Sequence, residues 1–232
     1  MNIQVEEFVA IVEKYIDVND VNVIYDVGAG SCEETVLLRN KFTNAEVYAF
    51  ECNPACIHNC AKNIVNLDRI TFIPVCVNDY TGLVKFHPIN QEKTKTNRKV
   101  HPDGNPRASS VYLANDTYPH ETYIQDEITI PCMKIRDIIN TYYLKVPQVI
   151  WIDLQGAELA ALKGMGDLSG VEIIHAEVAE RVIYEGQCLF PEIKEYLEKK
   201  GFVCVTDIEN LGKGWLFDDA NFIRRDIYAG AE

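Results

Sequence analysis

VNVIYDVGAG, residues 21–30, is a continuous apolar run that ends in a glycine-rich turn. Such a run is typical of a buried strand, and Gly28 and Gly30 allow a tight turn that a ligand can approach closely. A second apolar run, EVYAFE at 46–51, ends at Glu51. A carboxylate at that point can accept hydrogen bonds from both hydroxyls of a ribose. The two runs predict an α/β fold that binds a nucleoside-containing cofactor.

Strand-like and helix-like segments alternate along the rest of the chain, which predicts a mostly parallel sheet with helices on both faces. We expect a Rossmann-like fold whose sheet has seven strands and whose site lies at the carboxyl ends of the strands. TGLVKFH at 81–87 is expected to form a short hairpin arm, and the last two strands a hairpin around Gly212 and Gly214. The expected later strands are 70–77, 128–133, 146–154, 171–178, 202–209 and 221–228, and the expected helices are 33–42, 54–65, 134–143, 157–165 and 191–201.

Length and charge limit the class of protein. The 232 residues suit one large domain, which we place at 21–232 behind an amphipathic N-terminal helix at 1–20. A net charge of −13 argues against nucleic-acid and membrane partners, since both require an excess of Lys and Arg. The N-terminus has no basic segment typical of an export signal, which favours a cytoplasmic location. The oligomeric state is left open.

The eight cysteines are expected to be reduced, because apolar surroundings and a cytoplasmic location are typical of free buried thiols. Cys52, Cys56 and Cys60 recur every four residues. On a helix this spacing places them on one face that packs against the sheet. A metal cluster is the alternative, and its usual cysteine spacings differ from this one.

Glu33 separates two classes of cofactor. A dinucleotide-binding turn, G-x-G-x-x-G, would have a third glycine at position 33, where this chain has Glu33. An anion at the start of a helix would repel a pyrophosphate. S-adenosylmethionine has no phosphate and carries a sulfonium cation, which tolerates acidic neighbours. The turn therefore favours S-adenosylmethionine over NAD.

Three segments together resemble the FkbM family of methyltransferases: YDVGAG at 25–30, FECNP at 50–54 and WIDLQGAELAALKGM at 151–165. The resemblance covers roughly residues 22–205, and the last segment is its most specific part. It implies a class I methyltransferase fold, S-adenosylmethionine as methyl donor and, most often, a hydroxyl acceptor on a sugar or small metabolite. The chain departs from the family pattern at Gln155, where Glu is usual, at Trp151, where Lys is common, and at Cys32, often Gly.

The expected cofactor site combines this resemblance with the strand ends. The resemblance implies that Asp26, Gly28 and Glu51 contact the cofactor and that Asn78 and Asp79 lie near its adenine. The full expected set is Asp26, Gly28, Ala29, Gly30, Glu51, Cys52, Asn78, Asp79 and Asp153.

Asp153 is the first candidate for the base that activates an acceptor hydroxyl, since it ends a strongly apolar run. Capping the next helix or orienting the cofactor amino group are its alternative roles. His175 and Glu177 alternate on one strand and so share a face, where they form a candidate base with an orienting carboxylate. A buried, structural histidine is the alternative. Asp153, Glu158 and Glu177 could bind Mg²⁺, but their spacing does not require a metal, and none is assigned.

Residues 88–127 form a polar insertion with a local cluster of basic residues, Lys93, Lys95, Arg98, Lys99, His101 and Arg107. The insertion is predicted to be a lid over a phosphate or an acidic acceptor, or else a solvated mobile loop. The expected acceptor-binding residues are Ser109, Ser110, Tyr112, Gln155 and Glu158, and Tyr118 is a further candidate for a sugar contact.

The leading functional hypothesis is a methyltransferase that acts on a hydroxyl of a small-molecule or glycan acceptor. Two alternatives remain: a nucleotide-binding oxidoreductase of the NAD type, and a non-catalytic module that retains the fold. Gln155 keeps the second alternative open, because it removes a charge that the family usually has.

Overall fold

The computed structural model describes residues 3–207 and 216–231. Within them, no helix combines the length and the apolar character needed to cross a membrane. The helices are α1 (Ile3–Val12), α2 (Glu33–Lys41), α3 (Pro54–Ile64), α4 (Ile135–Tyr142), α5 (Glu158–Met165), α6 (Phe190–Lys199) and α7 (Arg225–Ala231). The strands are β1 (Val23–Val27), β2 (Glu46–Phe50), β3 (Ile70–Ile73), β4 (Cys76–Val77), β5 (Gly82–Phe86), β6 (Ile128–Met133), β7 (Val149–Ile152), β8 (Ile173–Ala179), β9 (Phe202–Cys204) and β10 (Phe217–Arg224).

The main sheet has seven strands in the order β3-β2-β1-β7-β8-β10-β9. The five strands β3, β2, β1, β7 and β8 are parallel to one another, and β10 runs antiparallel to both β8 and β9. A dinucleotide-binding Rossmann sheet has the order 3-2-1-4-5-6. In this sheet the antiparallel strand β10 lies between β8 and the edge strand β9. The predicted α/β fold with a mostly parallel seven-stranded sheet is confirmed.

Alternate residues of the strands pack against helices on opposite faces of this sheet. Ile24 and Val47 face α1 and α2, while the neighbouring Tyr25 and Tyr48 face the side of α4, α5 and α6. Ala49 meets Cys60 of α3 on the first side. Apolar side chains predominate on both faces of the sheet, and helices cover both faces, as the sequence predicts.

The segment 70–77, predicted as one strand, is two strands in two sheets. Strand β3 ends at Ile73, and β4 begins at Cys76 and pairs with β6 in a small three-stranded sheet of order β4-β6-β5. Pro74 lies between them and has no amide hydrogen for the ladder. The predicted hairpin arm at 81–87 is β5, which pairs antiparallel with β6. The single-strand prediction was wrong.

Both ends of the chain differ from the predicted boundaries. The N-terminal helix spans Ile3–Val12 and is followed by a 3-10 turn at Val18–Asp20. The predicted strand 221–228 ends at Arg224, and α7 follows, with Ile227 and Tyr228 packed against the core. The closing strands β9 and β10 do pair antiparallel, while the turn predicted around Gly212 and Gly214 lies outside the described residues.

Cys32 and Cys60 form a disulfide, so the expectation of fully reduced cysteines was wrong at this pair. Cys32 follows the glycine turn and Cys60 lies on the buried face of α3. The two residues are 28 positions apart, and only the packing of α3 against the turn brings them together. Cys56 is buried on the same helix, whereas Cys52 precedes it.

Candidate cofactor and active site

Two adjoining cavities open at the carboxyl ends of the parallel strands. The smaller has a volume of about 50 Å³ and is walled by the glycine turn, Glu51 and apolar side chains that include Val75 and Val77. The larger has a volume of about 370 Å³ and lies over the ends of β7, β8 and β10. Four residues line both cavities and so mark their junction: Gly28, Arg107, Asp153 and Gln155.

Glu51 ties the glycine turn to the end of β2. Its Oε2 accepts a hydrogen bond from the Gly30 amide at 2.8 Å, and its Oε1 accepts from the amides of Cys52 at 2.7 Å and Asn53 at 2.6 Å. Burial raises the pKa of Glu51 to about 7, although these three amides oppose the increase. A carboxylate oxygen accepts two hydrogen bonds, so Oε2 keeps one position for a ligand hydroxyl.

Close approach of the backbone requires glycine at position 28, and a positive φ favours glycine at both positions of the turn. A Cβ on Gly28 would lie 1.8 Å from the carbonyl oxygen of Asp153, and one on Gly30 would lie 2.8 Å from Nε of Arg107. Both glycines have positive φ, +92° and +52°. Ala29 between them is buried in the core beside Cys60. The turn thus brings the backbone against the strand that carries Asp153.

Asp26 lies at the wall of the larger cavity, with 1% of its surface exposed. The Thr35 hydroxyl donates a hydrogen bond to Asp26 Oδ2. Burial raises the pKa of Asp26 to about 7, and the hydrogen bond from Thr35 lowers it less than burial raises it. Thr35 was not predicted from the sequence; its position one helical turn after the glycine turn is the only available signal.

Gln155 joins the two central carboxylates. Its Nε2 donates hydrogen bonds to Asp153 Oδ1 at 2.7 Å and to Glu177 Oε2 at 3.0 Å, and its Oε1 accepts from the Tyr184 hydroxyl at 3.1 Å. Burial raises the pKa of both Asp153 and Glu177. The two carboxyl groups also interact directly, which favours one proton shared between them.

Glu158 builds the turn that presents these groups. Its Oε1 accepts hydrogen bonds from the amides of Leu154 at 2.8 Å and Gly156 at 3.0 Å. Gln155 and Gly156 have positive φ, +52° and +101°. Oxygens of Asp153, Glu158 and Glu177 lie within 4.8 Å of one another, which matches the oxygen ligands of a divalent cation. Glu158 lines neither cavity, so it supports the turn and is not placed to contact an acceptor.

His175 shares the larger cavity with Glu177, as their alternation on one strand predicts. Its ring stacks on Trp151 with a centroid distance of 3.7 Å, and Nδ1 lies 2.9 Å from Asn221 Oδ1. The Asn221 amide nitrogen donates to Thr206, so the Asn221 oxygen faces the histidine ring. Nε2 lies 3.5 Å from Asp219. His175 is thus held mainly by Trp151, Asn221 and Asp219.

The insertion covers the smaller cavity. Asn53 donates from Nδ2 to the Pro106 carbonyl at 2.8 Å and to Ser109 Oγ at 2.9 Å. Ser110 donates from Oγ to the Gln155 carbonyl at 2.9 Å. Both serines line the smaller cavity, and their hydroxyls take part in these contacts. Tyr112 packs against Gly186 and lines neither cavity. The structure therefore places these three candidates in the insertion and not in the wall of the larger cavity.

Aromatic side chains form one wall of the larger cavity. Tyr123 of the insertion stacks on Tyr184 with a centroid distance of 6.2 Å and on Tyr118 at 5.6 Å, and Tyr118 contacts Phe217 of β10 at 6.0 Å. Of these, only Tyr118 was singled out from the sequence. The Tyr184 hydroxyl also lies 2.8 Å from the Ala108 carbonyl, so its one hydrogen is shared between this carbonyl and Gln155 Oε1, and the contact ties the insertion to the segment after β8.

Asn78 and Asp79 line neither cavity. The carbonyl of Asn78 packs instead against Gly164 of α5, where a Cβ would lie 2.2 Å away. Their displacement follows from the split at Pro74, since the chain has already left the main sheet at this point. Val75, Cys76 and Val77 line the wall of the smaller cavity, where Asn78 and Asp79 were expected. Cys52 also lies at this wall.

The topology and the cleft define a class I methyltransferase fold. A fibrillarin pre-rRNA processing protein from Methanococcus jannaschii shares it with a TM-score of 0.51 and 15% identity, over 95% of this chain and 74% of that one. An rRNA-methylase structure from Clostridium thermocellum gives a TM-score of 0.50 and 14% identity, over 94% of each chain. Likeness at this identity concerns the fold alone.

The chain belongs to the FkbM methyltransferase family, whose domain model matches residues 26–204. A curated relative, the 2-O-methyltransferase NoeI of Sinorhizobium fredii, is 25% identical over 166 residues. The match covers 71% of this chain and 66% of that relative, slightly less than two thirds of it. Family membership decides between the alternatives from the sequence in favour of the methyltransferase over the NAD-type oxidoreductase.

Proposed function

We propose that this protein transfers a methyl group from S-adenosylmethionine to a hydroxyl group of a sugar or sugar-like small molecule. The observation that carries the proposal is the position of Asp153, hydrogen-bonded through Gln155 to Glu177, at the junction of the two cavities. A donor in one cavity and an acceptor in the other would meet at this carboxylate. Family membership and the name of the NoeI relative support the same reaction.

The side chains around the smaller cavity have the chemistry that S-adenosylmethionine requires, and its volume of about 50 Å³ means that the insertion has to move before the cofactor binds. Glu51 Oε2 keeps an acceptor position for a ribose hydroxyl, and Val75, Val77 and Leu154 offer apolar contacts to an adenine. Asp153 offers negative charge at the end of the cavity, where a sulfonium would lie. When bound, the cofactor supplies an electrophilic methyl group.

The position of Asp153 and Glu177 at the wall of the larger cavity supports their role as the base that takes the proton of the acceptor hydroxyl. A neutral hydroxyl is a weak nucleophile, and a base near its oxygen assists its attack. A bound S-adenosylmethionine would supply the methyl group to the acceptor oxygen and leave as S-adenosylhomocysteine, while the pair of Asp153 and Glu177 would take the hydroxyl proton. Burial raises the pKa of both carboxyls, which makes them stronger bases than ordinary carboxylates.

The larger cavity fits a sugar acceptor. Its wall combines the aromatic rings of Tyr118, Tyr123 and Phe217 with the polar groups of Gln187 and Asp219. Aromatic edges and faces pack on the C–H faces of a sugar, while carboxylate and amide groups bind its hydroxyls. A cavity of about 370 Å³ has room for a monosaccharide unit.

Transfer of a labelled methyl group tests the proposal. We would incubate the protein with S-adenosylmethionine labelled in its methyl group and a panel of hexoses, deoxyhexoses and their glycosides. We expect alkali-stable label on at least one sugar, as an ether requires, and none with Asp153→Asn. Binding of S-adenosylhomocysteine together with no transfer to any member of the panel would contradict the proposal and favour the non-catalytic module.

A further inference from the structure

The walls of the two cavities are acidic, and Arg107 is the single Lys or Arg side chain among their lining residues. The acidic side chains are Asp26, Glu34, Glu51, Glu121, Asp153, Glu177 and Asp219. Such walls suit the sulfonium and the amino group of S-adenosylmethionine. They repel its third charged group, the carboxylate, which needs a cation or several N–H donors when it leaves water.

Arg107 lies where this carboxylate would have to be. It belongs to the insertion, in the 3-10 turn Pro106–Ala108, yet its side chain reaches over the glycine turn. Its Nε lies 2.8 Å from the point where a Cβ on Gly30 would be, so the guanidinium rests directly on that residue. The residue also lines both cavities beside Asp153. A cofactor with its ribose at Glu51 and its sulfur near Asp153 would extend its amino-acid end into this corner.

The Arg107 guanidinium has N–H groups that can donate hydrogen bonds to a ligand. Nη2 donates to Glu34 Oε2 at 2.6 Å, and Nη1 lies 3.6 Å from Glu33 Oε2. Within the described part of the chain this is the one hydrogen bond among its five N–H groups. The side chain is 42% exposed, and the residue lines both cavities. Glu33 and Glu34 hold the arginine over the turn, and this explains why an acidic residue is tolerated at position 33.

We propose that Arg107 binds the carboxylate of the methionine moiety of S-adenosylmethionine, so that the insertion closes on the cofactor through a charge-assisted contact. The inference rests on the proposed function, because it takes S-adenosylmethionine as the ligand of the smaller cavity. Arg107 would then both select ligands that have an intact amino-acid end and couple cofactor binding to closure of the lid.

A ligand that differs only in the carboxylate separates this role from general packing. We would measure, by calorimetry, the affinities of the wild type and of Arg107→Met for S-adenosylhomocysteine and for its decarboxylated form, which keeps the amine. Wild type should prefer S-adenosylhomocysteine by about 10- to 100-fold, as expected for hydrogen bonds between charged groups. In Arg107→Met this preference should fall to less than about 3-fold, because the decarboxylated ligand never used the arginine.

Two further variants complete the test. Arg107→Lys should recover part of the preference, since it keeps the charge but loses the planar fork. Lys99→Met removes an equal charge from an exposed residue of the same insertion and should leave the preference unchanged. An equal loss for both ligands in Arg107→Met would overturn the inference and make the arginine a packing residue of the lid. Absence of binding of either ligand to the wild type would instead overturn the proposed function.

Discussion

At the level of single residues, Glu51 has two tasks that use the same carboxylate. It accepts hydrogen bonds from three backbone amides, which shape the glycine turn and the start of α3. Its Oε2 can accept one further hydrogen bond on the side of the smaller cavity. The sequence predicts the second task, because the residue ends the second strand. It could not predict the first, since amide contacts across the turn depend on how closely the two loops approach.

Replacing Glu51 with Gln should weaken binding of S-adenosylhomocysteine by about 10- to 100-fold, the usual value of hydrogen bonds to a charged group. Calorimetry measures the affinity directly. Glu46→Gln is the matched control, because Glu46 lies at the other end of β2 and contacts Lys145 and Tyr48 instead. Equal affinities of wild type and Glu51→Gln would refute a contact with the ribose.

Asp153→Asn should keep the affinity for S-adenosylhomocysteine within about threefold and lower turnover by about 100-fold or more, since a general base contributes roughly 10²- to 10⁴-fold. Steady-state transfer of labelled methyl groups measures the loss once an acceptor has been found. Asp167→Asn is the control, because that carboxylate binds Ser169 at the surface. Normal turnover in Asp153→Asn would exclude this residue as the base.

Arg107 shows which part of the site the sequence conceals. It belongs to a cluster of basic residues in the polar insertion, so the sequence makes it a candidate for binding an anion. The sequence does not predict that its side chain lies over the glycine turn. Its contacts with Glu33 and Glu34 span more than seventy positions of the chain, as the separation of 73 for Glu34 shows. No periodicity of strand or helix specifies a contact of that kind, because it depends on where an irregular loop folds back.

At the level of elements, the parallel strands were predictable and their exchanges between sheets were not. The run 70–77 is apolar throughout, and Pro74 alone signals that the chain leaves one sheet for another. The change from β10 to α7 falls similarly between Arg224 and Arg225, and Asp226 in the first turn of α7 accepts a hydrogen bond from Arg224. The local pattern therefore predicts the existence of elements better than their boundaries.

We expect the insertion to open before a cofactor enters the smaller cavity. The smaller cavity, at about 50 Å³, has room for a few water molecules but not for an adenosine, and residues 106–110 close it. We expect amides of residues 103–112 to exchange hydrogen more slowly when S-adenosylhomocysteine is saturating, since a bound ligand holds the lid shut. Hydrogen exchange read by mass spectrometry measures this change.

Helix α4 provides the internal control for this measurement. It lies on the face opposite the glycine turn, so its amides should exchange at the same rate with and without ligand. Unchanged exchange in 103–112 at saturating ligand would mean that the insertion is a fixed wall. Slower exchange of both segments would indicate general stabilisation of the fold by ligand binding.

At the level of the whole molecule, several of the carboxyl groups that are counted in the formal net charge of −13 are buried. Burial raises the pKa of Asp26, Glu51 and Glu158 to about 7 in each case. The folded state therefore retains protons that the unfolded state has already lost between about pH 4 and pH 7. Since the native state binds more protons in this range, the free energy of unfolding falls as the pH rises.

The Tm of the ligand-free protein should therefore be several degrees lower at pH 8 than at pH 5.5. One pKa unit is about 1.4 kcal/mol, and 1 kcal/mol shifts the Tm of a protein of this size by roughly 2–4 °C. Glu158→Gln should make the decline smaller, because it removes one of the three groups, while Glu195→Gln at the exposed surface should not. A Tm that rises from pH 5.5 to pH 8 would contradict the raised pKa values.

The arrangement of donor and acceptor cavities around Asp153 is tested most directly by a crystal structure with S-adenosylhomocysteine. We expect a ribose hydroxyl within hydrogen-bond distance of Glu51 Oε2 and the sulfur at the junction beside Asp153. The larger cavity should remain open for the acceptor. A nucleoside bound in the larger cavity, or a sulfur remote from Asp153, would contradict this account.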